Sequence, residues 1–346
     1  MSVILRGGTL PFMGLEVGLR AFVLVVFAVG CAPVETVEPV DTEDSPVDTD
    51  IVTTPPIIVD TGETGDTGTP PLTTYDCTTP WPASMGAHTV SAIASSEDFD
   101  IMADGYLVHI EGGNLVARSY LADDSYLVAA NVASNAAGTR VLKNGDIAVS
   151  NVSSGTLMLV NYQTGAKTTL LSRNWPNGID VDKDDYIYIT DFADSGSLTK
   201  VNAYDPNDME ILAQDMYRPN GVVLSPDGMF LYIAANWIDQ IWRMERDVNG
   251  DWGNLQVWQD QPGVPQSVTT DACGTVYWEN WAQVRRKSAD GGQSGGVADA
   301  GGGYFPNLRW GNDVGGFKRD HLYGLSSGQM WEFHVGIPGK KHISIQ

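Results

Sequence analysis

Short apolar segments separated by tight polar turns recur along most of the chain. A pattern of strand, turn and strand occurs six times, and the turns contain Gly105, Gly145, Asp185, Gly228, Gly274 and Asp320. The intervals between these turns are 40, 40, 43, 46 and 46 residues. Each pair of strands is followed by two further short strand-like segments, such as SLTKVNAYD and EILAQDMY. Four strands in every 40 to 46 residues is the period of a propeller blade, so the sequence predicts an all-β, six-bladed β-propeller.

The end of the chain predicts how the ring closes. After Asn307 the sequence has room for only about three strands, whereas the segment HTVSAI (His88 to Ile93) precedes the first blade and belongs to none. Adding this segment to the sixth blade removes the open edges of an incomplete sheet. We therefore expect a propeller domain over residues 77–346 that is closed by an N-terminal strand in its last blade.

Two cysteines lie where this arrangement brings them together. Cys273 is in the turn after the first strand of blade five, and Cys77 precedes the closing strand of the neighbouring blade six. Both positions fall on the same face of the propeller, so we predict a Cys77–Cys273 disulfide. In the chain-entropy treatment, a loop of this length contributes roughly 4–5 kcal/mol to stability.

The first thirty residues have the pattern of an export signal. Arg6 and Arg20 precede the apolar run AFVLVVFAVG, which is too short to span a bilayer. The following AVGC resembles the lipobox of bacterial lipoproteins, which predicts a signal peptide over residues 1–30 and lipidation of Cys31. An ordinary secretory signal with an incidental cysteine is the alternative. The start of translation is Met1 or Met13, since the shorter form has the more usual signal length.

The segment that follows predicts a tether. Between Ala32 and Asp76 there are eleven acidic residues and no Lys, Arg or His. Such a segment buries too little apolar surface to fold, and its like charges extend it. We expect residues 31–76 to form a disordered acidic tether after the lipidated cysteine. Calcium binding by the run DTGETGDTGTPP is the weaker alternative, because that run lacks the ligand spacing of a calcium loop.

Charge limits the class of partner. The 346 residues carry 20 Lys and Arg against 43 Asp and Glu, a formal net charge of −23. A chain this acidic is repelled by phosphate backbones, so we expect no nucleic-acid partner.

We expect a monomer that is exported and lipid-anchored to a bacterial cell envelope, at the outer membrane.

One column of side chains recurs where the innermost strand of each blade begins. We name Glu97, Ala137, Asn177, Asn220, Gln266 and Asn307 the ring column. Asn and Gly in the repeated Pro-Asn-Gly also suit a turn, which is the simpler interpretation of those copies. Glu97 and Gln266 are poor turn formers, however, and a ring of oxygen atoms around one axis is a way to bind a hard cation such as Ca²⁺.

The repeated Pro-Asn-Gly strands, SPDGMFLYIA and VTTDACGTVYWEN resemble the gluconolactonase/regucalcin (senescence marker protein) family of six-bladed propellers, within the superfamily of paraoxonases and strictosidine synthase. The resemblance covers about residues 95 to 336. It implies a divalent metal, Ca²⁺ by expectation, bound by Glu97, Asn177 and Asn220. It also implies a metal-dependent hydrolase of lactones or esters.

The sequence departs from that family at one ligand. Gln266 stands where the family has the Asp of a Pro-Asp-Gly segment, so the implied site keeps one carboxylate and should bind metal weakly, with Gln266 as a fourth ligand. Gln cannot take a proton, so the resemblance assigns no catalytic base, and the candidates for a catalytic role are Asp98 and Arg140. An inter-blade salt bridge is the alternative role of Arg140.

A second column of polar residues ends strand two of several blades: Asn151, Asp191, Asn236 and Asn280. These side chains either hydrogen-bond the ring column and hold it in place or cap the loops that leave the strands. His109 has no evident partner, which favours a structural role. The Gly-rich segment from Asp290 to Gly303 is a flexible loop or a lid over the tunnel.

Two functions remain open from the sequence. The first is a hydrolase of small lactones or esters in which metal at the tunnel mouth activates water. The second is a non-catalytic tethered propeller that binds a ligand or an envelope protein, because propellers host many unrelated activities.

Overall fold

The computed structural model describes residues 75–82, 86–94, 96–280, 283–299 and 304–342. The predicted signal peptide, Cys31 and nearly all of the predicted tether lie outside these residues and stay predictions.

Twenty-four strands in the described part form six four-stranded antiparallel sheets. The first strand in the chain, β1 (Ala87–Ser91), belongs to the last blade. Blades one and two contain β2 (Phe99–Ile101), β3 (Leu107–Glu111), β4 (Asn114–Arg118), β5 (Ser125–Ala129), β6 (Ala136–Val141), β7 (Ile147–Asn151), β8 (Thr156–Val160) and β9 (Lys167–Ser172). Blades three and four contain β10 (Pro176–Val181), β11 (Tyr186–Asp191), β12 (Gly196–Asn202), β13 (Met209–Met216), β14 (Val222–Leu224), β15 (Phe230–Ala235), β16 (Gln240–Glu245) and β17 (Gln256–Asp260). Blades five and six contain β18 (Val268–Thr270), β19 (Val276–Asn280), β20 (Gln283–Lys287), β21 (Ser294–Asp299), β22 (Leu308–Trp310), β23 (His321–Ser326) and β24 (Gln329–His334).

The closure of the ring agrees with the prediction. Blade six has the strand order β1-β24-β23-β22, so the N-terminal strand is its outermost member. Thr89 of β1 lies opposite Trp331 of β24 in an antiparallel register. The six-bladed, all-β fold and its closing strand are therefore confirmed. We call the face on which the innermost strands begin the top, and the opposite face the bottom.

Apolar packing lies between the blades. Six clusters of buried side chains occupy the six spaces between neighbouring sheets. Second strands such as β15 and β23 are buried along almost their whole length because neighbouring blades cover both of their faces. Outer strands such as β13 are largely exposed. This difference explains why the second strands are the most apolar segments of each repeat.

The predicted disulfide is present between Cys77 and Cys273, whose Cα atoms are 5.5 Å apart. It joins the segment before β1 to the bottom turn of blade five, across 196 residues of sequence. Arg286 reinforces this attachment, because its Nη2 donates a hydrogen bond of 2.9 Å to the Pro82 carbonyl oxygen. The start of the domain is thus fastened to blade five while β1 pairs in blade six.

Helix is nearly absent from the described residues, where the single-turn 3₁₀ helix Asn236–Ile238 follows β15. Among these residues there is no helix with the length and apolar character that crossing a bilayer requires.

His109 is a buried base in the second strand of blade one. Its side chain is fully shielded from solvent, and neither ring nitrogen has a hydrogen-bond partner. Burial lowers the pKa of His109 to about 4, with a smaller lowering from Arg118, against the attraction of Glu111. The neutral imidazole is therefore the stable form in the folded protein, as its expected structural role requires.

Removing the disulfide should destabilise the closed ring. For the Cys77→Ala/Cys273→Ala variant we expect a loss of up to about 5 kcal/mol in the free energy of unfolding, because the unfolded chain regains the entropy of a long loop. Urea denaturation of the variant, with the reduced natural protein as a comparison, measures this loss. Equal midpoints for oxidised, reduced and variant proteins would contradict the expectation.

Acid should weaken the fold through His109. In the unfolded chain its pKa returns to about 6.5, so only the unfolded state takes up a proton as the pH falls from 6.5 towards 4. Above pH 6.5 burial of His109 has little effect on the free energy of unfolding, and at pH 4 it lowers that free energy by about 3 kcal/mol. His109→Leu should therefore flatten the dependence of unfolding free energy on pH in that window. His88→Gln, at an exposed histidine, is the matched control; the same slope in both variants would refute this assignment.

Candidate functional site

The two Pro-Asn-Gly segments lie where innermost strands begin: residues 176–178 are in β10, and residues 219–221 directly precede β14. Asn177 lies inside β10 and is buried. None of Asn177, Gly178, Asn220 and Gly221 adopts a positive φ. These Asn and Gly residues therefore do not form the left-handed turn to which their residue types are suited.

Glycine is needed at these positions because neighbouring innermost strands approach very closely. A Cβ on Gly138 would lie 2.7 Å from the Asn177 carbonyl oxygen, and one on Gly178 would lie 2.5 Å from the Asn220 carbonyl oxygen. A Cβ on Gly221 would lie 2.7 Å from Ser267 Cα. Each glycine thus lets one member of the ring column sit against the next, from blade two to blade five.

Hydroxyl groups fix the same backbone. Ser150 Oγ donates a hydrogen bond of 2.6 Å to the Asn177 carbonyl oxygen, and Thr190 Oγ1 donates one of 2.5 Å to that of Asn220. The Gly221 N–H donates to the Gln266 carbonyl oxygen at 3.0 Å. Strand two of one blade thereby holds the first strand of the next, which orders the ring column before any ligand is bound.

Two members of the ring column are joined through their side chains. Asn220 Nδ2 donates a hydrogen bond of 2.9 Å to Gln266 Oε1. This bond uses one of the two lone pairs of the oxygen that Gln266 would offer to a metal, and it orients the Asn220 amide while leaving Asn220 Oδ1 outside the contact. Asn307 is buried and its Oδ1 accepts the N–H of Leu308 at 3.0 Å, and Ala137 contributes no polar group.

Glu97, at the top of blade one, has a carboxyl group whose surroundings disfavour its charged form. The residue is exposed at the tunnel mouth, but the surrounding protein partly desolvates its carboxyl group, and the charge of Asp98 adds to the effect. Together they raise the pKa of Glu97. A cation bound beside this group would relieve both effects.

Sequence reasoning missed two residues of this region, Glu279 and Tyr304. Burial raises the pKa of the Tyr304 phenol, and the charges of Glu279 and then Glu97 raise it further, which places both carboxylates near this ring. Glu279 is 1% exposed and is in β19 of blade five. An acid directly after the apolar run VYW in β19 was the available signal. A carboxylate is thus found in the blade where Gln266 replaces an acid.

Asp98 lies directly below the ring column in a buried ion network. Its carboxylate accepts hydrogen bonds from Arg309 Nη2 at 2.7 and 2.9 Å, from Arg140 Nη1 at 2.7 Å and from the Thr139 N–H at 2.9 Å. With these donors in place, neither oxygen is positioned as a general base. Arg140 also approaches Asp180, with 3.6 Å between Nε and Oδ1, so the inter-blade salt bridge that was its alternative role is present.

The network continues towards the bottom of the tunnel, where the last described residues enter it. Lys340 Nζ donates to Asp180 Oδ2 at 2.5 Å, and His342 Nε2 lies 2.9 Å from Asp100 Oδ1. Burial alone would raise the pKa of Asp100, but His342, Arg140 and Arg309 hold it far below its usual range. We call Asp98, Asp100, Arg140, Asp180, Arg309, Lys340 and His342 the axial ion network. A cavity on the bottom face borders it, away from the ring column.

The second polar column holds loop backbone. Asn151 Nδ2 donates to the Val132 carbonyl oxygen at 2.8 Å, and Asn280 Nδ2 donates to that of Pro262 at 3.1 Å. Asp191 Oδ1 accepts the N–H of Trp175 at 2.6 Å, just before Pro176 and Asn177. Asn236 is buried, and its Oδ1 accepts no hydrogen bond. The contacts of Asn151, Asn280 and Asp191 fix loops that lead into innermost strands, and the Ser154 N–H also donates to Asn151 Oδ1 at 3.1 Å in the loop that leaves β7.

Aromatic side chains border the ring column on blades three and four. Trp175 and Trp237 are 47% and 60% exposed, and the Arg218 guanidinium lies 4.2 Å from the centroid of the Trp237 ring. Phe192 packs against Trp175 with ring centroids 5.5 Å apart. We call Trp175, Phe192, Arg218 and Trp237 the aromatic shelf; Arg218 comes two residues before Asn220.

Solved structures of similar fold share this architecture. A gluconolactonase from Xanthomonas campestris superposes with a TM-score of 0.60 at 17% identity, over 73% of this chain and 89% of its own. A calcium-binding protein, regucalcin, from Agrobacterium tumefaciens gives 0.58 at 16% identity, over 73% and 94%. A luciferin-regenerating enzyme gives 0.58 at 13% identity, over 75% and 96%. A search of curated protein sequences finds no match.

The sequence itself identifies the family. The family described as the SMP-30/gluconolactonase/LRE-like region matches residues 85–298, which is more than half of the chain and contains five of the six members of the ring column. Together with the closed six-bladed ring, this match shows that the chain belongs to the SMP-30/gluconolactonase/LRE-like family.

Proposed function

We propose that the protein is a metal-dependent hydrolase of small lactones or esters, with its site at the ring column. The observation that carries the proposal is the Asn220 amide, which Gln266 already orients, in a ring that also holds the Glu97 carboxylate, whose pKa its surroundings raise. Family membership supports the same reaction class.

The donor set fits a hard cation. Glu97 would supply the charge, and Asn177 and Asn220 would supply amide oxygens, which are the ligand types that Ca²⁺ accepts. When bound, a divalent ion polarises a carbonyl group and lowers the pKa of water. Gln266 would act by orienting Asn220, because its Oε1 accepts the Asn220 amide hydrogen. One carboxylate among these ligands makes the affinity low.

Other residues of this chain would position the substrate. The aromatic shelf offers exposed apolar surface beside Asn220 for the ring or acyl part of a lactone or ester. Burial raises the pKa of the Tyr304 phenol, and the charges of Glu279 and Glu97 raise it further, so its hydroxyl stays protonated at neutral pH and would act as a hydrogen-bond donor. Asp98 would hold Arg140 and Arg309 in place below the site.

The second candidate function is a non-catalytic binding propeller at the cell envelope. It is favoured by Gln266, which takes no proton and whose oxygen is engaged by Asn220. In either function we propose that the protein is exported and anchored through a lipidated Cys31, with residues up to 76 as a tether; the signal-like sequence of residues 1–30 supports this.

Metal should stabilise the fold only at high concentration. For a site with a dissociation constant of about 1 mM, stabilisation by Ca²⁺ grows as the logarithm of concentration and reaches about 2.7 kcal/mol only at a hundredfold excess over that constant. Glu97→Gln should abolish this increment and leave the metal-free fold intact. Glu111→Gln, at a surface carboxylate of the same blade, is the matched control. Thermal denaturation across a Ca²⁺ titration measures the effect, and equal increments in both variants would remove Glu97 from the site.

Hydrolysis separates the two functions. A panel of lactones and esters is incubated with the natural protein and with Gln266→Asp, each supplied with Ca²⁺, Mn²⁺ or Zn²⁺. The added carboxylate should tighten metal binding and raise metal-dependent turnover at least tenfold, because it contributes a second charge and a proton acceptor. Turnover in the variant alone would identify the natural protein as the binding propeller. If neither protein turns over, the hydrolase proposal fails.

A further inference from the structure

A second group of metal-ligand side chains lies on the bottom of blade six, remote from the ring column. Asp320 is in the turn before β23, His321 begins β23 and His334 ends β24. His321 and His334 are direct cross-strand partners, and their rings are stacked with centroids 4.3 Å apart. The pairing of the two strands therefore fixes both imidazoles on one face of the sheet.

The ligand atoms of the three residues converge. Asp320 Oδ1 lies 2.6 Å from His321 Nδ1, and Asp320 Oδ2 lies 3.6 Å from His334 Nε2. One ligand atom from each residue falls within 4.8 Å of the others. A tetrahedral ion with bonds of about 2.0–2.1 Å separates its ligands by about 3.3 Å. The two imidazole planes are only 9° apart, so the partly exposed His334 and Asp320 side chains would both have to rotate for all three ligand atoms to meet at one ion.

A buried carboxylate orients the inner imidazole. Glu332 is 1% exposed, and its Oε1 lies 3.1 Å from His321 Nε2. Its other oxygen accepts the hydroxyl hydrogen of Tyr120 from blade one. Metal-binding histidines commonly give their second ring nitrogen to a carboxylate in this way, which fixes the tautomer and the ring plane. Glu332 thus leaves His321 Nδ1 directed at Asp320, while the ring of His334 stacks on the face of the His321 ring.

Backbone contacts fix the third ligand. The N–H groups of Val335 and Gly336 donate to the Asp320 carbonyl oxygen at 3.1 and 3.0 Å, so the turn is tied to the end of β24. The Asp320 and His334 side chains are 41% and 33% exposed, whereas that of His321 is 8% exposed. Backbone contacts therefore hold the three side chains in place, and Asp320 and His334 remain accessible to an ion from solvent.

We propose that Asp320, His321 and His334 bind a Zn²⁺ ion, with water as the fourth ligand. Two imidazole nitrogens and one carboxylate oxygen are a donor set that Zn²⁺ prefers and that Ca²⁺ does not. The site differs in this respect from the oxygen-only ring column. Bound Zn²⁺ would clamp the last hairpin of blade six at the point where the ring is closed.

Protonation of His321, without any metal, is the alternative explanation of the same geometry. A charged His321 would bridge Asp320 and Glu332 without any metal, since each ring nitrogen faces one carboxylate. In that case the two histidines stack for packing only, and added Zn²⁺ finds no specific site. The two accounts differ in stoichiometry and in the effect of removing His334.

The test is a Zn²⁺ titration of tag-free protein by calorimetry, with Cu²⁺ electron paramagnetic resonance to count nitrogen ligands. We expect one Zn²⁺ per chain at micromolar concentration and two nitrogens around Cu²⁺. His334→Ala and Asp320→Asn should each weaken Zn²⁺ binding at least tenfold, and Glu332→Gln should weaken it 10- to 100-fold.

Two controls locate the ion. His88→Ala removes a histidine whose Nε2 is 3.9 Å from Glu332 but which is outside the three ligands, and Glu97→Gln alters the ring column. Both should keep the natural affinity. No Zn²⁺ bound to the natural protein at 100 μM, as an order-of-magnitude limit for a site of this type, would overturn the proposal. Unchanged binding in His334→Ala, in protein with the circular dichroism of the natural fold, would do the same. If His334→Ala does not fold, the partly exposed Asp320→Asn decides between these results.

Discussion

The carboxylate of Asp98 is the point at which three blades are joined on the propeller axis. It accepts hydrogen bonds from Arg309 of blade six and from Arg140 and the Thr139 N–H of blade two, while belonging to blade one itself. The three innermost strands can approach one another only while these charges stay matched. The position of Glu97, one residue above, depends directly on this contact, and so does the arrangement of the ring column around the tunnel.

A buried network of this kind contributes more to geometry than to stability. Removing water from a carboxylate and two guanidinium groups costs several kcal/mol per ion, and mutual attraction offsets that cost only when every donor is used. Burial, with the Arg140 charge, lowers the pKa of Arg309 to about 10, so the group stays charged at neutral pH. Loss of one partner would leave an unpaired buried charge, and the network therefore specifies a single register between blades.

Much of the fold could be predicted because its determinants are local and periodic. The six turns set the blades, and the missing outer strand after Asn307 implied closure by the segment around His88. Cys77 and Cys273 could be paired because their faces follow from strand direction alone. These features need only strand order and alternation.

The contacts that build the site could not be predicted in this way. Asn220 pairs with Gln266, and Asp98 with Arg309, across blades, where the tilt of each sheet decides which side chains meet. The glycines of Pro-Asn-Gly were open to a turn interpretation because their need is a close approach of another strand, which no local pattern records. Lys340 reaches the tunnel through a segment after the last blade, and that segment is not part of the repeated sequence pattern.

The pairing of β1 with β24 has a consequence for the order of assembly. During synthesis from the N-terminus, the segment around His88 is made early but has no partner until the last hairpin is made. Five blades can acquire their sheets while the ring remains open and while Asp100 and Asp180 still lack His342 and Lys340. Closure of the ring is consequently a late, single event. It joins residues that are very distant in sequence, and topologies with such contacts fold slowly. Until that event β24 has no outer neighbour, and the pairing with β1 gives the last blade the same four strands as the other five.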